Sequence, residues 1–135
     1  MQHSSVDEVL AYLIAKKLAG ELKTIVAVKE YFVDYKSPSE ISHKLGVSKL
    51  QVRGWLQRVL RKVRTHERVK AIVAAALPYI MRIDTIILRC NGSSHCLLCD
   101  RKLPKVAGAE CKHVLERHRK LVRELVRLVK HELRW

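Results

Sequence analysis

The chain has 135 residues, of which 48% are hydrophobic and only 5% aromatic, and its formal net charge is +14. That is enough apolar material for a core built mainly of Leu, Ile, Val and Ala, and it excludes a disordered tail. The length suits one domain or two very small ones, and the charge points first to a polyanionic partner: DNA, RNA or an anionic membrane surface.

The opening "MQHSSVDEVL" has no basic stretch followed by an apolar one, so no secretory leader is expected. Ser5 and Glu8 stand at capping-box spacing. Val6, Val9, Leu10, Leu13, Ile14 and Leu18 then repeat with helical period, and Gly20 marks the stop. A second helix is predicted in "ELKTIVAVKEYFVDY", with Leu22, Ile25, Val26, Val28, Phe32 and Val33 as its apolar positions. "KSPSE" reads as a turn into a short helix from about Glu40 to Leu45, broken by Gly46. Ser48 caps the next helix, which runs to about Val63 with continuation past Thr65 left open. "HERVKAIVAAAL" is a further helix, ended or kinked at Pro78.

"YIMRIDTIILRC" fits two states, a strand by its β-branched content and a helix by its apolar spacing. "NGSS" reads as a loop and as the boundary between a helical domain, 1–88, and a C-terminal module, 89–135. After a Cys-rich knuckle, "AECKHVLERHRKLVRELVRLVKHELRW" is predicted as one long amphipathic helix. The fold class expected is mainly all-α. The most apolar stretch, "AIVAAALPYIMRIDTIIL", is interrupted by Pro78, Arg82 and Asp84, so it reads as core and not as a membrane span. A soluble cytoplasmic protein is expected. Asn91 is the only Asn while Val, Leu, Lys, Arg and Glu abound, which is a thermophile-like composition.

The charge is unevenly placed. Residues 1–40 carry five Lys against six Asp or Glu, whereas residues 44–70 carry nine Lys or Arg against one acid, Glu67. Inside the basic stretch lies "PSEISHKLGVSKLQVRGWLQRV". Ser42 is small where two steeply crossing helices touch, and Gly46 supplies the turn. Ile41, Leu45, Val47, Val52 and Trp55 fill the apolar offsets that pack the pair onto a third helix. Residues 38–59 thereby resemble the DNA-binding helix-turn-helix family. The resemblance implies that the second helix enters the major groove of double-stranded DNA with its N-terminal residues at base edges.

The residues at the outward positions are then Ser48, Lys49, Leu50, Arg53, Gly54 and Gln57. The resemblance gives Lys49 and Arg53 to guanine, Gln51 or Gln57 to adenine, and Leu50 to a thymine methyl. It gives Lys44, Arg58, Arg61, Lys62 and Arg64 to phosphates, where they add affinity and salt dependence but no sequence choice. Gly54 departs from good helix chemistry, at about 1 kcal/mol against Ala, and it leaves room for the close approach of a DNA backbone.

The second constellation is an excess of soft ligands. In an intracellular chain clustered Cys are more often metal ligands than disulfides. Cys96, Cys99, His113 and His118 form C-x2-C-x13-H-x4-H. This resembles the two-Cys two-His zinc finger, with one extra residue in the middle and no aromatic in the small core. Cys90, Cys96, Cys99 and Cys111 form a rival four-thiolate set, and mixed sets remain open. Zn²⁺ is the cofactor expected from ligand softness and the two-residue knuckle. A site closed by four protein ligands is structural. Outside the four, Cys90 and Cys111 are core residues or a disulfide, and His95 is incidental.

The last helix carries Leu121, Val122, Leu125, Val126, Leu128 and Val129 on a wide apolar stripe edged by Arg and Lys. It packs on its own domain or joins two copies, as a homodimer reading paired half-sites does. No phosphate-cradling Gly-rich loop and no carboxylate cluster points to an enzyme. The function expected is a DNA-binding transcription regulator of archaeal or viral type. An architectural, sequence-independent nucleic-acid coat or a protein-interaction adaptor are the alternatives.

Overall fold

A computed structural model describes residues 5–135. Seven helices and one small sheet follow in the order α1 (Ser5–Ala19), α2 (Leu22–Phe32), α3 (Pro38–Leu45), α4 (Lys49–Val63), α5 (His66–Ile80), β1 (Ile87–Cys90), β2 (Ser93–Cys96), β3 (Arg101–Leu103), α6 (Ala109–Arg117) and α7 (Arg119–Leu133). The fold is mainly all-α. Among the described residues no helix is long and apolar enough to cross a membrane.

Helix α1 is the axle. Val9, Leu10, Leu13, Ile14 and Ala15 are all fully buried, so the helix is apolar almost all round, as befits one surrounded by others. It touches α2, α4, α5, α6 and α7. Ser5 is already helical, so the cap expected there falls inside the helix, and the residue before it lies outside the described range. At the other end Gly20 is left-handed at φ +75°. Its N–H reaches the Lys17 carbonyl at 3.0 Å and the Glu21 N–H reaches the Lys16 carbonyl at 2.9 Å. This is the Schellman closure that glycine makes without a Cβ penalty.

Helix α2 stops at Phe32, three residues short of the expected Tyr35, where the chain turns left-handed at φ 59°. Helix α3 begins at Pro38, two residues before the expected Glu40. Ser37 is its cap, and Glu40 closes a full capping box: the Ser37 Oγ accepts from the Glu40 N–H at 3.2 Å and Glu40 Oε1 accepts from the Ser37 N–H at 3.4 Å. Pro38 occupies the first helical position, where its missing N–H costs nothing.

Two expected helix ends are displaced. Pro78 does not stop α5, which runs on to Ile80. The proline is solvent-exposed in the last turn, and the carbonyl it leaves without a helical donor is that of Ala74, also exposed and open to solvent. The predicted long C-terminal helix is two helices. His118 has φ −121° and ψ 33°, outside the helical region, and separates α6 from α7.

The ambiguous "YIMRIDTIILRC" divides. Tyr79 and Ile80 finish α5, and Ile87–Cys90 form β1. "NGSS" is less loop than expected. Asn91 and Gly92 are both left-handed, at φ 51° and 77°, the two-residue hairpin turn that suits Asn-Gly. Ser93 and Ser94 already belong to β2, which pairs antiparallel with β1 (Cys90 opposite Ser93) and β3 (Cys96 opposite Arg101). The division expected between residues 88 and 89 falls inside β1. The buried apolar side chains make one connected core from α1 to α7, and Ile86, Ile87, Cys96 and Leu103 of the sheet region belong to it.

Candidate metal centre and candidate nucleic-acid interface

Four side chains from three pieces of chain converge. Cys96 ends β2, Cys99 sits in the tight turn before β3, His113 lies on α6 and His118 occupies the break between α6 and α7. The knuckle is closed by the Asp100 N–H on the Cys96 carbonyl at 2.9 Å, with Asp100 left-handed at φ 58°. The four potential ligand atoms all lie within 4.8 Å of one another. Cys96 Sγ is 3.3 Å from His118 Nε2, and Cys99 Sγ is 3.3 Å from His113 Nε2. A tetrahedral ion with bonds of about 2.0–2.3 Å holds its ligand atoms about 3.5 Å apart, so the set fits a metal ion. Burial, and next the neighbouring His118, keep the pKa of His113 below its ordinary value, which favours the neutral imidazole that binds a metal.

The break at His118 has a geometric reason. Residues five apart on an unbroken helix point about 140° away from each other, so His113 and His118 meet only where the helix gives way. Their rings lie 5.1 Å apart in an edge arrangement.

The group includes neither Cys90 nor Cys111, and both are free thiols with no disulfide between them. Cys90 is exposed on β1. Cys111 is buried against α1, where burial raises its thiol pKa and the nearby Lys16 ammonium opposes the rise. His95 pairs with Asp100, Nε2 to Oδ1 2.7 Å, outside the ligand group. Cys111 and Val114 turn one face of α6 into the body of the protein, where α6 packs on α1. The finger-like module is therefore fixed to the helical core.

The helix-turn-helix segment is α3, a three-residue turn and α4. Gly46 is left-handed at φ 67°, and its N–H caps α3 on the Ser42 carbonyl. The Ser48 Oγ accepts from the Gln51 N–H at 3.0 Å and starts α4. Val52, Leu56, Val59 and Val63 are the buried stripe of α4. Leu50, Gly54, Gln57 and Arg61 repeat the same spacing two residues out of phase, about 200° round the helix, so they form the stripe that faces away from the core. Leu50 is 81% exposed, and a Cβ placed on Gly54 would meet nothing within 4 Å.

Lys49, Gln51, Arg53, Arg58 and Arg64 are also exposed, and Lys62 is half-buried. Three cations of the basic stretch, Lys44, Arg58 and Lys62, have work elsewhere. Lys44 is ion-paired with Glu30, which is buried on α2 and also holds Lys36 at 3.3 Å. Burial pushes the Glu30 pKa up, but the two lysines outweigh it and leave the carboxyl below its ordinary value. Lys62 Nζ lies 5.5 Å from the centre of the Tyr12 ring, and Arg58 is near enough to the Tyr12 phenol to oppose the rise in its pKa that burial causes. Two further polar links carry no motif in the sequence: Lys16 with Glu21 at 2.6 Å, across the turn that ends α1, and the Ser94 hydroxyl donating to Glu110 at 2.8 Å, from β2 to α6.

Comparison with protein-family models, with curated proteins and with solved structures gives no match.

Proposed function

We propose that this chain is a DNA-binding protein, a regulator of transcription, that lays α4 in the major groove of double-stranded DNA. The observation that carries the reading is the outward stripe of α4. An isolated Leu at 81% exposure, a glycine with open space above it, and Gln57 and Arg61 lie in one line. They sit in a segment where nine cations face one acid. None of these four residues serves the core, and a groove gives each a role. Lys49 and Arg53 suit guanine edges, Gln51 and Gln57 suit adenine, and Leu50 suits a thymine methyl. Arg58, Arg61, Lys62 and Arg64, with Lys44 at the edge, suit phosphates. The deep, narrow major groove of duplex RNA does not admit a helix, so B-form DNA is the partner.

Zinc is the metal we assign to Cys96, Cys99, His113 and His118, from two thiolates, two imidazoles and the CxxC knuckle. A bound ion there supplies folding free energy and leaves no open position for chemistry. Cys96 and Cys99 tie the sheet, and His113 and His118 tie the joint of α6 and α7, to one point. That point in turn fixes the two helices lying on α1.

Lys49→Ala with Arg53→Ala tests the reading. Both side chains are exposed, so the fold should be intact by circular dichroism. Affinity for a duplex selected from a random pool should fall to the level of a random duplex. Unchanged affinity overturns the proposal.

A further inference from the structure

A groove of about 920 Å³ runs between α1 and α7 on a face that shares no residue with α4. Its lining follows α7 from Arg119 to His131, roughly 18 Å at 1.5 Å per residue. The floor is apolar, made by Ala11, Val122 and Val126. Leu115, 41% exposed, lines it at the α6 end, and Trp135, 48% exposed, at the far end of α7. Large exposed apolar side chains at a concave site mark a contact surface more often than chance, and Trp is prominent among residues that anchor interfaces.

The rims decide what fits. One is cationic, with Arg119, Arg123, Arg127 and Lys130, and the other has Asp7 and Glu8. Lys130 is engaged with Asp7 at 2.8 Å, and Arg127 with Glu124. Among the described residues Arg119 and Arg123 have no such partner. A floor of Val and Ala is wasted on a phosphate backbone. A second copy of this chain brings another net +14, and like charges of that size repel. What matches a short apolar floor with unpartnered cations along one edge is a helix with an apolar face bordered by Asp or Glu.

We infer that the α1–α7 groove docks an acidic amphipathic helix of a partner protein. The site is independent of the DNA-reading face, so the protein can hold both ligands at once.

The test uses the full chain and a helix-stabilised synthetic peptide of about 15 residues, long enough for the groove, with Leu on one face and Glu beside it. The controls are a scrambled peptide of identical composition and a charge-reversed Lys version. Calorimetry in physiological salt should show binding of the acidic amphipathic peptide only. Arg119→Glu with Arg123→Glu should weaken it at least tenfold. The same charge change on β3 and the bend after it, Lys102→Glu with Lys105→Glu, should leave it unchanged. Equal binding of the scrambled peptide, equal loss in the two double variants, or no binding by the wild type overturns the inference. So does a wild-type dimer in sedimentation that Arg119→Glu with Arg123→Glu dissociates, because a second copy then fills the groove.

Discussion

Gly54→Ala pulls apart two demands on α4, folding and contact. A glycine within a helix costs about 1 kcal/mol relative to alanine, and nothing in the fold calls for it here, since a Cβ at 54 has no neighbour within 4 Å. The substitution should stabilise the protein by about 1 kcal/mol, or roughly 3–5 °C in Tm for a chain of this size. On DNA the added methyl lies in the centre of the outward stripe, between Leu50 and Gln57. Forcing a methyl into a packed contact costs on the order of 1–3 kcal/mol, about 5- to 150-fold in affinity. Calorimetric melting and fluorescence anisotropy on a selected duplex read the two effects from one preparation. Tm should rise while affinity falls. A rise in Tm with unchanged affinity refutes the close approach, and a fall in Tm refutes the claim that the space above Gly54 is open.

The ligand set is checked by native mass spectrometry: one Zn²⁺ per chain should persist in Cys111→Ser and Cys90→Ser and be lost in His113→Ala with His118→Ala. Chelation of the wild type should lower its Tm and loosen α6 and α7, seen as faster amide exchange there than in α2. Arg53→Ala should cost about 1–3 kcal/mol and relax choice at one base pair, whereas Arg61→Ala should weaken all duplexes alike and reduce the salt slope by about one. Glu30 ties α2 to α3 through Lys44, and its carboxyl pKa lies below the ordinary value despite burial. The folded state therefore favours the charged form. The resulting stability is present above the unfolded pKa and is lost as pH falls through the folded one. Thermal melts between neutral and strongly acidic pH should show Glu30→Gln less stable than wild type at neutrality, with the gap closing in acid.

The elements most legible in the sequence were those fixed by local chemistry. The left-handed stops at Gly20 and Gly46 and the cap at Ser48 are single-residue signals, and each stands where the spacing put it. The ligand spacing C-x2-C-x13-H-x4-H named the four side chains that converge. The apolar pattern of the C-terminal segment, however, keeps its phase across the polar stretch 116–120, since Val114 and Leu115 stand seven residues before Leu121 and Val122, so phase alone does not reveal the break at His118. That break answers to the convergence of Cys96, at the end of β2, and His118, twenty-two residues on, which no short window contains. The Asn91–Gly92 hairpin did carry a local signal, but its strands are four residues long and too short to show alternation. The Ser37–Glu40 capping box was also written in the sequence, and reading "KSPSE" as a turn alone obscured it. Ser94 with Glu110 joins β2 to α6, where tertiary contact chooses the partner, while Lys16 with Glu21 spans the turn that ends α1.

The most direct measurement is the ratio of affinities for a selected duplex and a random duplex of equal length, titrated side by side at 150 mM salt. A helix reading base edges through Lys49, Leu50, Arg53 and Gln57 should give a ratio of about 10³ or more, with both affinities falling as salt rises. A ratio near one with the same salt dependence contradicts sequence reading by α4 and leaves a protein that coats DNA by charge alone.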